Sequence, residues 1–391
     1  MNLTLNKNLC LMYGISFFQG MVFYAPVAAL YRQACGLNML QITLIESISL
    51  FLCIALEFPW GILAEKIGYS RTIAVCCGIY LLSKIVFWNA HSFTGFLTER
   101  ILLSFSLAGL SGVDLSLLYF SVPKEQYQKV CGIYNSLGTG GLVVSSLVFT
   151  LFFQDHYRTA ALFTVLSYSA AFAASLFLSP LPGHCRHTQT RGDLSSSQKA
   201  DVLLLLKTFL QNKRVLLFLT GTALLSEMRQ NVAVFLSQLQ YTRCGSSPFL
   251  MGCFYILASL AGLFGFFSFA ATKKAGEFTF SSLCFLLSAL FCLLLGITEN
   301  PFLSAACVIG IQLLGTLAQP LFYRLQNEEI RVSCRAAALS LQAVFLECTG
   351  AALSPAYGFL ADRYLPCAFF AGTISCLAGW GFYVLWYKKR S

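Results

Sequence analysis

Charged residues are scarce in this chain. Only 11% of its 391 residues are Asp, Glu, Lys or Arg, and 57% are hydrophobic, whereas an ordinary soluble domain is about 25% charged. A globular core cannot cover that much apolar surface, so lipid must cover part of it. The composition excludes a soluble globular protein and predicts one that crosses a membrane several times.

Paired cysteine spacings and the common enzyme motifs are also missing. The sixteen cysteines lie mostly inside apolar runs, and Cys76 and Cys77 are adjacent, which suits neither a disulfide framework nor a CxxC metal site. The chain has no GxxxxGK[ST], HExxH or GxSxG motif, and its four histidines fall in loops or at the ends of apolar runs. We therefore expect no enzyme, no ATP-driven motor, no cofactor and no bound metal.

Twelve apolar runs are present, each about as long as the 20 residues that a membrane span needs. They are residues 9–31, 39–64, 71–89, 95–120, 128–153, 159–179, 214–240, 248–271, 279–297, 301–323, 333–357 and 365–387. A polar stretch at 180–201 separates six runs from six, and "VLLLLKTFLQNKR" after it has the pattern of a short interfacial helix. We predict an all-α integral membrane protein with twelve transmembrane helices in two six-helix pseudo-repeats. Its domains are an N-terminal half (1–179), a cytoplasmic linker (180–213) and a C-terminal half (214–391).

The two predicted halves share a short repeat. "QDHYRTAALF" (154–163) and "ADRYLPCAFF" (361–370) both contain Asp-x-Tyr at an offset of 207, and Lys124 and Arg331 stand at the same offset. Transporters built from two such repeats place their substrate site near the middle of the membrane. The repeat therefore favours a transporter.

Lys and Arg are distributed unevenly between the loops. With the N-terminus inside, nineteen of the 26 fall on the side of the two termini. The four on the other side are Arg32, Arg158, Arg243 and Arg363, and the three within spans are Lys84, Arg100 and Arg229. The positive-inside rule then places both termini in the cytoplasm. The net charge of +10 reflects this topology and not nucleic-acid binding.

The sequence "GILAEKIGYSR" (61–71), between spans 2 and 3, resembles the loop signature of the major facilitator superfamily. Gly61 and Gly68 match its two glycines, Glu65 its acid, Lys66 its first base and Arg71 one of its closing bases. The residues at 69 and 70 depart from the bases usual there. We expect Gly61 to let two helices approach, Gly68 to allow a tight turn and Glu65 to face a neighbouring helix N-terminus.

A second stretch, residues 97–138, resembles spans 4 and 5 of a bacterial branch of that superfamily, composed of drug-efflux-type and uncharacterised permeases. Arg100 falls at the superfamily's span-4 arginine, but Ser104 replaces the glycine expected four residues later. "GTGGLVVSS" has the glycines of the antiporter signature without its proline. The resemblance implies a multi-pass protein of the bacterial cytoplasmic membrane that works by alternating access.

Inserting an ionisable residue into the middle of a membrane span costs about 3 kcal/mol. We therefore expect each such residue to have a structural or functional role. A carboxyl that can take up and release a proton is what proton coupling requires. The candidates for coupling are Asp114, Glu227, Glu347, Glu99 and Arg100. Glu227 and Arg229 are two residues apart on a helix and point in nearly opposite directions, so Arg229 is a candidate partner for Glu347. The alternative role for that pair is to fix the packing of the helices.

Other polar residues at interior depth are candidates for a substrate cavity. They are Gln19, Tyr24, Glu46, Arg229, Gln238, Gln312 and Gln319. The glutamines would bind substrate in an otherwise apolar, aromatic pocket, or they would join helices by hydrogen bonds. We expect Lys84 to extend its ammonium to the membrane surface.

Together these features predict a secondary active transporter that exports a lipophilic or amphiphilic compound in exchange for protons. Uptake or uniport of a metabolite is the alternative, and a non-transporting receptor or scaffold of the same fold is a remote one. We expect a monomer in the lipid bilayer whose partners are a small-molecule substrate and protons.

The charge bias makes the predicted linker cytoplasmic, and a cysteine at Ser196 (Ser196→Cys) tests this placement. In a variant without accessible native cysteines, a membrane-impermeant maleimide should label Ser196→Cys only after the cells are opened. Arg363→Cys, in a loop predicted to be outside, should react in intact cells. Labelling of Ser196→Cys in intact cells would refute the topology.

Overall fold

The computed structural model describes residues 3–122, 124–154, 156–180, 212–329 and 335–390, and their secondary structure is helical. The N-terminal helices are α1 (Leu3–Gly20), α2 (Ala28–Ala34), α3 (Met39–Ile67), α4 (Tyr69–Asn89), α5 (Phe93–Leu110), α6 (Val113–Ser121), α7 (Lys124–Val148) and α8 (Tyr157–Leu176). The C-terminal helices are α9 (Lys213–Asn231), α10 (Ser237–Arg243), α11 (Pro248–Ala261), α12 (Ser268–Ala275), α13 (Glu277–Ile297), α14 (Pro301–Glu328), α15 (Arg335–Arg363) and α16 (Leu365–Lys388). Helices are expected here, because lipid offers no hydrogen-bond partners and each backbone N–H and C=O must find one within its own segment.

The helices coincide in position with the twelve apolar runs of the sequence. Within the described ranges, ten helical segments are long and apolar enough to cross a membrane. The run at 214–240 forms α9, a wider π turn at Val232–Leu236 and α10, and it carries several polar residues. The run at 248–271 forms the shorter apolar helix α11, which continues through a tight 3-10 turn at Gly262–Phe267 into α12. The all-α membrane fold predicted from the sequence is confirmed.

Glycine and proline interrupt several of the long helices. Gly112 has a left-handed backbone (φ 76°) and divides the fourth predicted span into α5 and α6. Pro59, Pro320 and Pro355 lie inside α3, α14 and α15, where each removes one backbone hydrogen bond.

The described residues form two compact units. One takes its residues from Met1–Leu37, Ile48–Gly192 and Pro248–Ile256, and the other takes them from Asn38–Ser47, Asp193–Ser247 and Leu257–Ser391. In the first unit α4 packs against α5 and α8, and α1 packs against α7 and α8. In the second unit α16 packs against α9 and α13, and α9 also contacts α15.

A tight turn recurs at matching places in the two parts of the chain. α3 ends just before Gly68 (φ 89°, ψ 147°), and α12 ends just before Gly276 (φ 82°, ψ 152°). Both glycines have a positive φ that other residues rarely adopt. The tight turn predicted at Gly68 is confirmed, and its counterpart at Gly276 strengthens the internal repeat.

The C-terminal copy of the Asp-x-Tyr repeat caps a helix. The Asp362 carboxylate accepts hydrogen bonds from the backbone amides of Met39 and Leu40, both at 2.7 Å, at the first turn of α3. Gly358, one turn earlier on α15, allows this approach, because a Cβ there would lie 2.7 Å from the Met39 carbonyl oxygen. A negative charge at a helix N-terminus is stabilising.

Some predictions fall outside the described residues. These are Asp155 and Arg331 of the repeat, most of the 180–213 linker with its interfacial helix, and the Glu65 side chain. The expected close approach at Gly61 is wrong for this structure: no atom lies within 4 Å of where its Cβ would be.

Glycines bring α1 and α7 into backbone contact. A Cβ on Gly141 would collide with the Phe17 carbonyl oxygen, and one on Gly20 would collide with the Gly138 carbonyl oxygen. Small residues of this kind are what lets helices pack closely in membranes. Gly138 and Gly141 of "GTGGLVVSS" therefore have a packing role.

Gly141→Ala should destabilise the protein by about 1–3 kcal/mol, because its methyl group would meet backbone that cannot move aside easily. Gly140→Ala is the matched control, since a Cβ there has nothing within 4 Å. Thermal unfolding in detergent should show a lower midpoint for Gly141→Ala alone. Equal midpoints for the two variants would contradict the close contact.

Candidate functional site

The second unit contains a cavity of about 110 Å³ lined by residues of α9, α14 and α15. Its polar lining includes Thr222, Glu227, Arg229, Gln319, Tyr323 and Gln326, and the rings of Phe218 and Phe322 add aromatic surface. A largely apolar wall with a few converging polar groups is typical of small-molecule sites.

Helical spacing explains why these residues share one cavity. On α9, the lining residues Phe218, Thr222 and Ser226 recur every four positions. On α14, Gly315 and Gln319 lie four positions apart, and the lining continues at 322, 323 and 326. Residues three or four apart lie on one face of a helix, so two facing stripes form opposite walls.

The Glu227 carboxyl group packs against Gly350 of α15. A Cβ on Gly350 would lie 2.6 Å from Cδ and Oε1 of Glu227 and 2.8 Å from its Oε2. Glu227 is half-buried. The position therefore holds the carboxyl only because residue 350 has no side chain.

The Arg229 side chain extends to a different helix. Its Nη1 donates a hydrogen bond to Gln312 Oε1 of α14 at 3.2 Å. A Cβ on Gly315 would collide with Arg229 Cδ and lie 2.7 Å from its Nε. Glu227 thus contacts α15 and Arg229 contacts α14, which confirms the opposite directions predicted from their spacing. The Arg229–Glu347 pair stays a prediction.

A buried amide fixes α9 to α15 one turn beyond Glu227. Asn231 Nδ2 donates to Ser354 Oγ at 3.0 Å and to the Glu227 carbonyl oxygen at 2.9 Å. Both Asn231 and Ser354 are buried. The π turn of Val232–Leu236 follows directly, and such turns occur often at functional sites.

Charged and titratable groups from three helices act on the Glu227 carboxylate. Arg229, on the same helix, attracts it, and Glu46 of α3 repels it. Tyr357 of α15 is also within electrostatic reach. One cation and one like charge therefore act on this carboxylate in opposite senses.

Gln238 has a structural contact. Its side chain is 3% exposed, and its Nε2 donates to the Val234 carbonyl oxygen at 3.1 Å. Gln319 does line the cavity, where its Nε2 donates to the Tyr323 hydroxyl at 2.8 Å. Of the predicted glutamines in this unit, Gln312 and Gln319 are associated with the cavity.

Asp114 lies in the first unit, in the first turn of α6. Its Oδ1 accepts from the Leu115 amide at 2.7 Å, and its Oδ2 accepts from the Tyr134 hydroxyl of α7 at 3.1 Å. A carboxylate in a first turn is stabilised by the helix dipole. These contacts give Asp114 a capping role at the start of α6.

Glu99 forms a buried cluster with two cations. Lys84 Nζ lies 3.5 Å from its Oε1, and Arg32 Nη2 lies 3.7 Å from its Oε2. Arg32, Lys84 and Glu99 are 6%, 5% and 1% exposed. The expectation that Lys84 extends to the membrane surface is therefore wrong, because a nearby carboxylate makes its burial tolerable.

Tyr24 belongs to the same cluster. Its hydroxyl accepts from Lys84 Nζ at 3.2 Å, and its ring stacks on Phe87 at 4.1 Å. Gln19 Nε2 donates to Cys77 Sγ at 3.3 Å. In the described contacts both side chains join helices of the first unit.

Several cavity residues were not predicted from the sequence. They are Phe218, Thr222, Ser226, Gly315, Phe322, Tyr323 and Gln326. Steps of three or four positions along α9 from Arg229 and along α14 from Gln319 would have found them. Gly350 had no such signal, because only the packing of α15 against α9 gives it a role.

The model of the Major Facilitator Superfamily matches residues 9–355. The chain belongs to this superfamily of membrane transporters, as the loop at 61–71 suggested. A relative of uncharacterised function, the MFS-type transporter MJ1560 of Methanocaldococcus jannaschii, is 30% identical over 132 residues. That match spans 33% of this chain and 33% of the relative.

Solved structures of two transporters share the fold. The nucleoside transporter NupG superposes with a TM-score of 0.76 at 14% identity, covering 98% of this chain and 99% of NupG. A bacterial homologue of the human lysosomal transporter Spinster, in an inward-facing and occupied conformation, gives a TM-score of 0.71 at 15% identity over 98% of this chain and 96% of the homologue. At these identities the likeness concerns the fold alone.

Gly61, Lys66 and Arg71 are exposed in the structure. If this loop acts in the conformational cycle, Gly61→Leu should slow solute exchange while solute affinity stays within about threefold. Its thermal stability should stay unchanged, because no atom lies near the added side chain in this state. Gly381→Leu, another helical site with open space, is the control. A loss of affinity at an unchanged exchange rate would contradict this role.

Proposed function

We propose that this chain is a proton-coupled secondary transporter of a small amphiphilic organic solute, with Glu227 as the coupling carboxyl. The observation that carries the proposal is the cavity of the second unit, which combines Glu227, Arg229 and Gln319 with the rings of Phe218 and Phe322. Membrane acids that face a cavity are typical of proton relays.

The contacts of Glu227 support its role in coupling. The described contacts of its carboxyl are with glycine and with the cavity, and the nearby cation Arg229 bonds to Gln312 instead. Arg229 attracts the Glu227 carboxylate, whereas Glu46 repels it. A carboxyl under opposing influences is suited to gain and lose a proton during reorientation. Asp114, held by Leu115 and Tyr134, is the second candidate.

The lining supports an amphiphilic solute. Two aromatic rings offer stacking surface, while Arg229 and Gln319 offer hydrogen bonds. Arg229 Nη1 already donates to Gln312, but a purely lipophilic compound would offer no acceptor to the remaining N–H groups of the guanidinium in a low-dielectric site. The solute should therefore carry an oxygen or nitrogen acceptor beside an apolar ring or chain.

Export is the direction that the sequence favours, through the resemblance to efflux-type permeases. Proton-coupled uptake of a polar metabolite is the second candidate, and the charge and amides of the cavity favour it. We place the protein in a bacterial cytoplasmic membrane as a monomer, with cytoplasmic termini and halves at 1–179 and 214–391.

Replacing the coupling acid should separate exchange from accumulation. In proteoliposomes, with a solute chosen by a thermal-shift screen, Glu227→Gln should retain solute exchange but lose accumulation driven by a pH gradient. The gradient then has no site on which to act. Asp114→Asn tests the rival site, and Glu299→Gln, an exposed carboxylate, is the control.

If Glu227→Gln and Asp114→Asn both still concentrate solute when a pH gradient is imposed, neither acid carries the proton. Glu347 and Glu99 would then be tested in the same way. Loss of exchange itself in Glu227→Gln would instead assign Glu227 to solute binding.

A further inference from the structure

Two glycines of the second unit each accommodate one charged side chain of α9. Gly350 of α15 lies under the Glu227 carboxyl, with contact distances of 2.6–2.8 Å to where its Cβ would be. Gly315 of α14 lies under the Arg229 chain near Cδ and Nε. Because these two side chains point in opposite directions, each glycine acts on one charge only.

At both sites the atoms that a Cβ would meet belong to a flexible side chain and not to backbone. The situation differs from that at Gly141, where a methyl group would meet a carbonyl oxygen. An alanine at 350 or 315 can therefore be accommodated by moving the charged side chain, while the helices keep their positions. Each substitution should act as a local displacement of one charge.

We propose that Gly350 is a positioning residue that sets the proton affinity of Glu227. With glycine at 350, the carboxyl lies against α15, and Arg229, Glu46 and Tyr357 act on it electrostatically. A methyl group at 350 would push the carboxyl off α15 and change its distances to these groups, to Tyr323 and to the cavity. The inference deepens the proposed function and rests on it only for the role of Glu227 in transport.

Protonation of Glu227 can be measured without knowing the solute, since the ligand is the proton. Infrared difference spectra of the purified protein, recorded across a pH titration, report the carbonyl stretch of a protonated carboxyl. The band that disappears in Glu227→Gln belongs to Glu227. Gly350→Ala should move the pH midpoint of this band by about one unit or more, a tenfold change in proton affinity.

A matched variant separates positioning from general damage. Gly381→Ala adds the same methyl group to a helix of the same unit with nothing within 4 Å, and its midpoint should stay unchanged. A shift of equal size in Gly381→Ala would overturn the assignment.

A double-mutant cycle gives the decisive result. Glu227→Asp is one methylene shorter and withdraws the carboxyl from Gly350, so adding Gly350→Ala to it should leave the aspartate band in place. If Gly350→Ala shifts the band equally in the Glu227 and Glu227→Asp backgrounds, Gly350 acts through the fold and the proposal fails. Should Gly350→Ala not fold, Glu227→Asp alone serves: its band should titrate about one unit or more away from that of Glu227, and equal midpoints would overturn the proposal.

The outcomes for Gly350 and for transport are independent. A midpoint that moves in Gly350→Ala while Glu227→Gln keeps pH-driven accumulation would support the positioning role and refute the coupling role of Glu227. An unmoved midpoint together with lost accumulation in Glu227→Gln would do the reverse.

Discussion

Helices in a membrane gain little from excluding water, so their association depends on how closely their surfaces can pack. In this chain that packing is set by glycines that face a neighbouring helix. Gly20 and Gly141 bring α1 and α7 into backbone contact, and Gly358 brings α15 to the first turn of α3. The capping of α3 by Asp362 depends on that last approach. Gly315 and Gly350 face a charged side chain instead of backbone. There the charged group occupies the space that a Cβ would fill.

The two charges of the α9 cavity illustrate how a membrane protein tolerates ionisable groups. Arg229 has a neutral amide partner in Gln312, so its charge is solvated by a dipole and not cancelled by a contact ion pair. The Glu99 cluster of the first unit uses a different arrangement, with two cations around one buried carboxylate. Glu99 thus has two cations beside it, whereas Glu227 is acted on by one cation and one like charge. The geometry therefore distinguishes a structural acid from a candidate functional one.

The sequence predicts on which face of its helix a charged residue lies, but it does not always predict which groups that residue contacts. The i, i+2 spacing of Glu227 and Arg229 correctly placed them on opposite faces, because the helical period fixes direction. Lys84 was expected at the surface, since its position near the end of a span allowed the side chain to reach water; Glu99 is fifteen residues away on another helix, and only the packing of α4 against α5 brings them together. Gly61 was expected at a helix contact, yet in this conformation it faces open space.

The sequence by itself determined the class of this protein. Apolar runs of span length impose helices, because backbone groups in lipid have no other partners, and the loop motif with the family match at 9–355 defines the superfamily. The turns at Gly68 and Gly276 were also local, since a positive φ needs glycine. Only the tertiary structure decided which polar residues share a cavity, that Gln238 bonds to its own helix, and that Gly350 lies beneath Glu227. Asn231 and Ser354, 123 positions apart, are joined in the same way as Glu227 and Gly350, and no local pattern encodes the packing that brings such distant residues together.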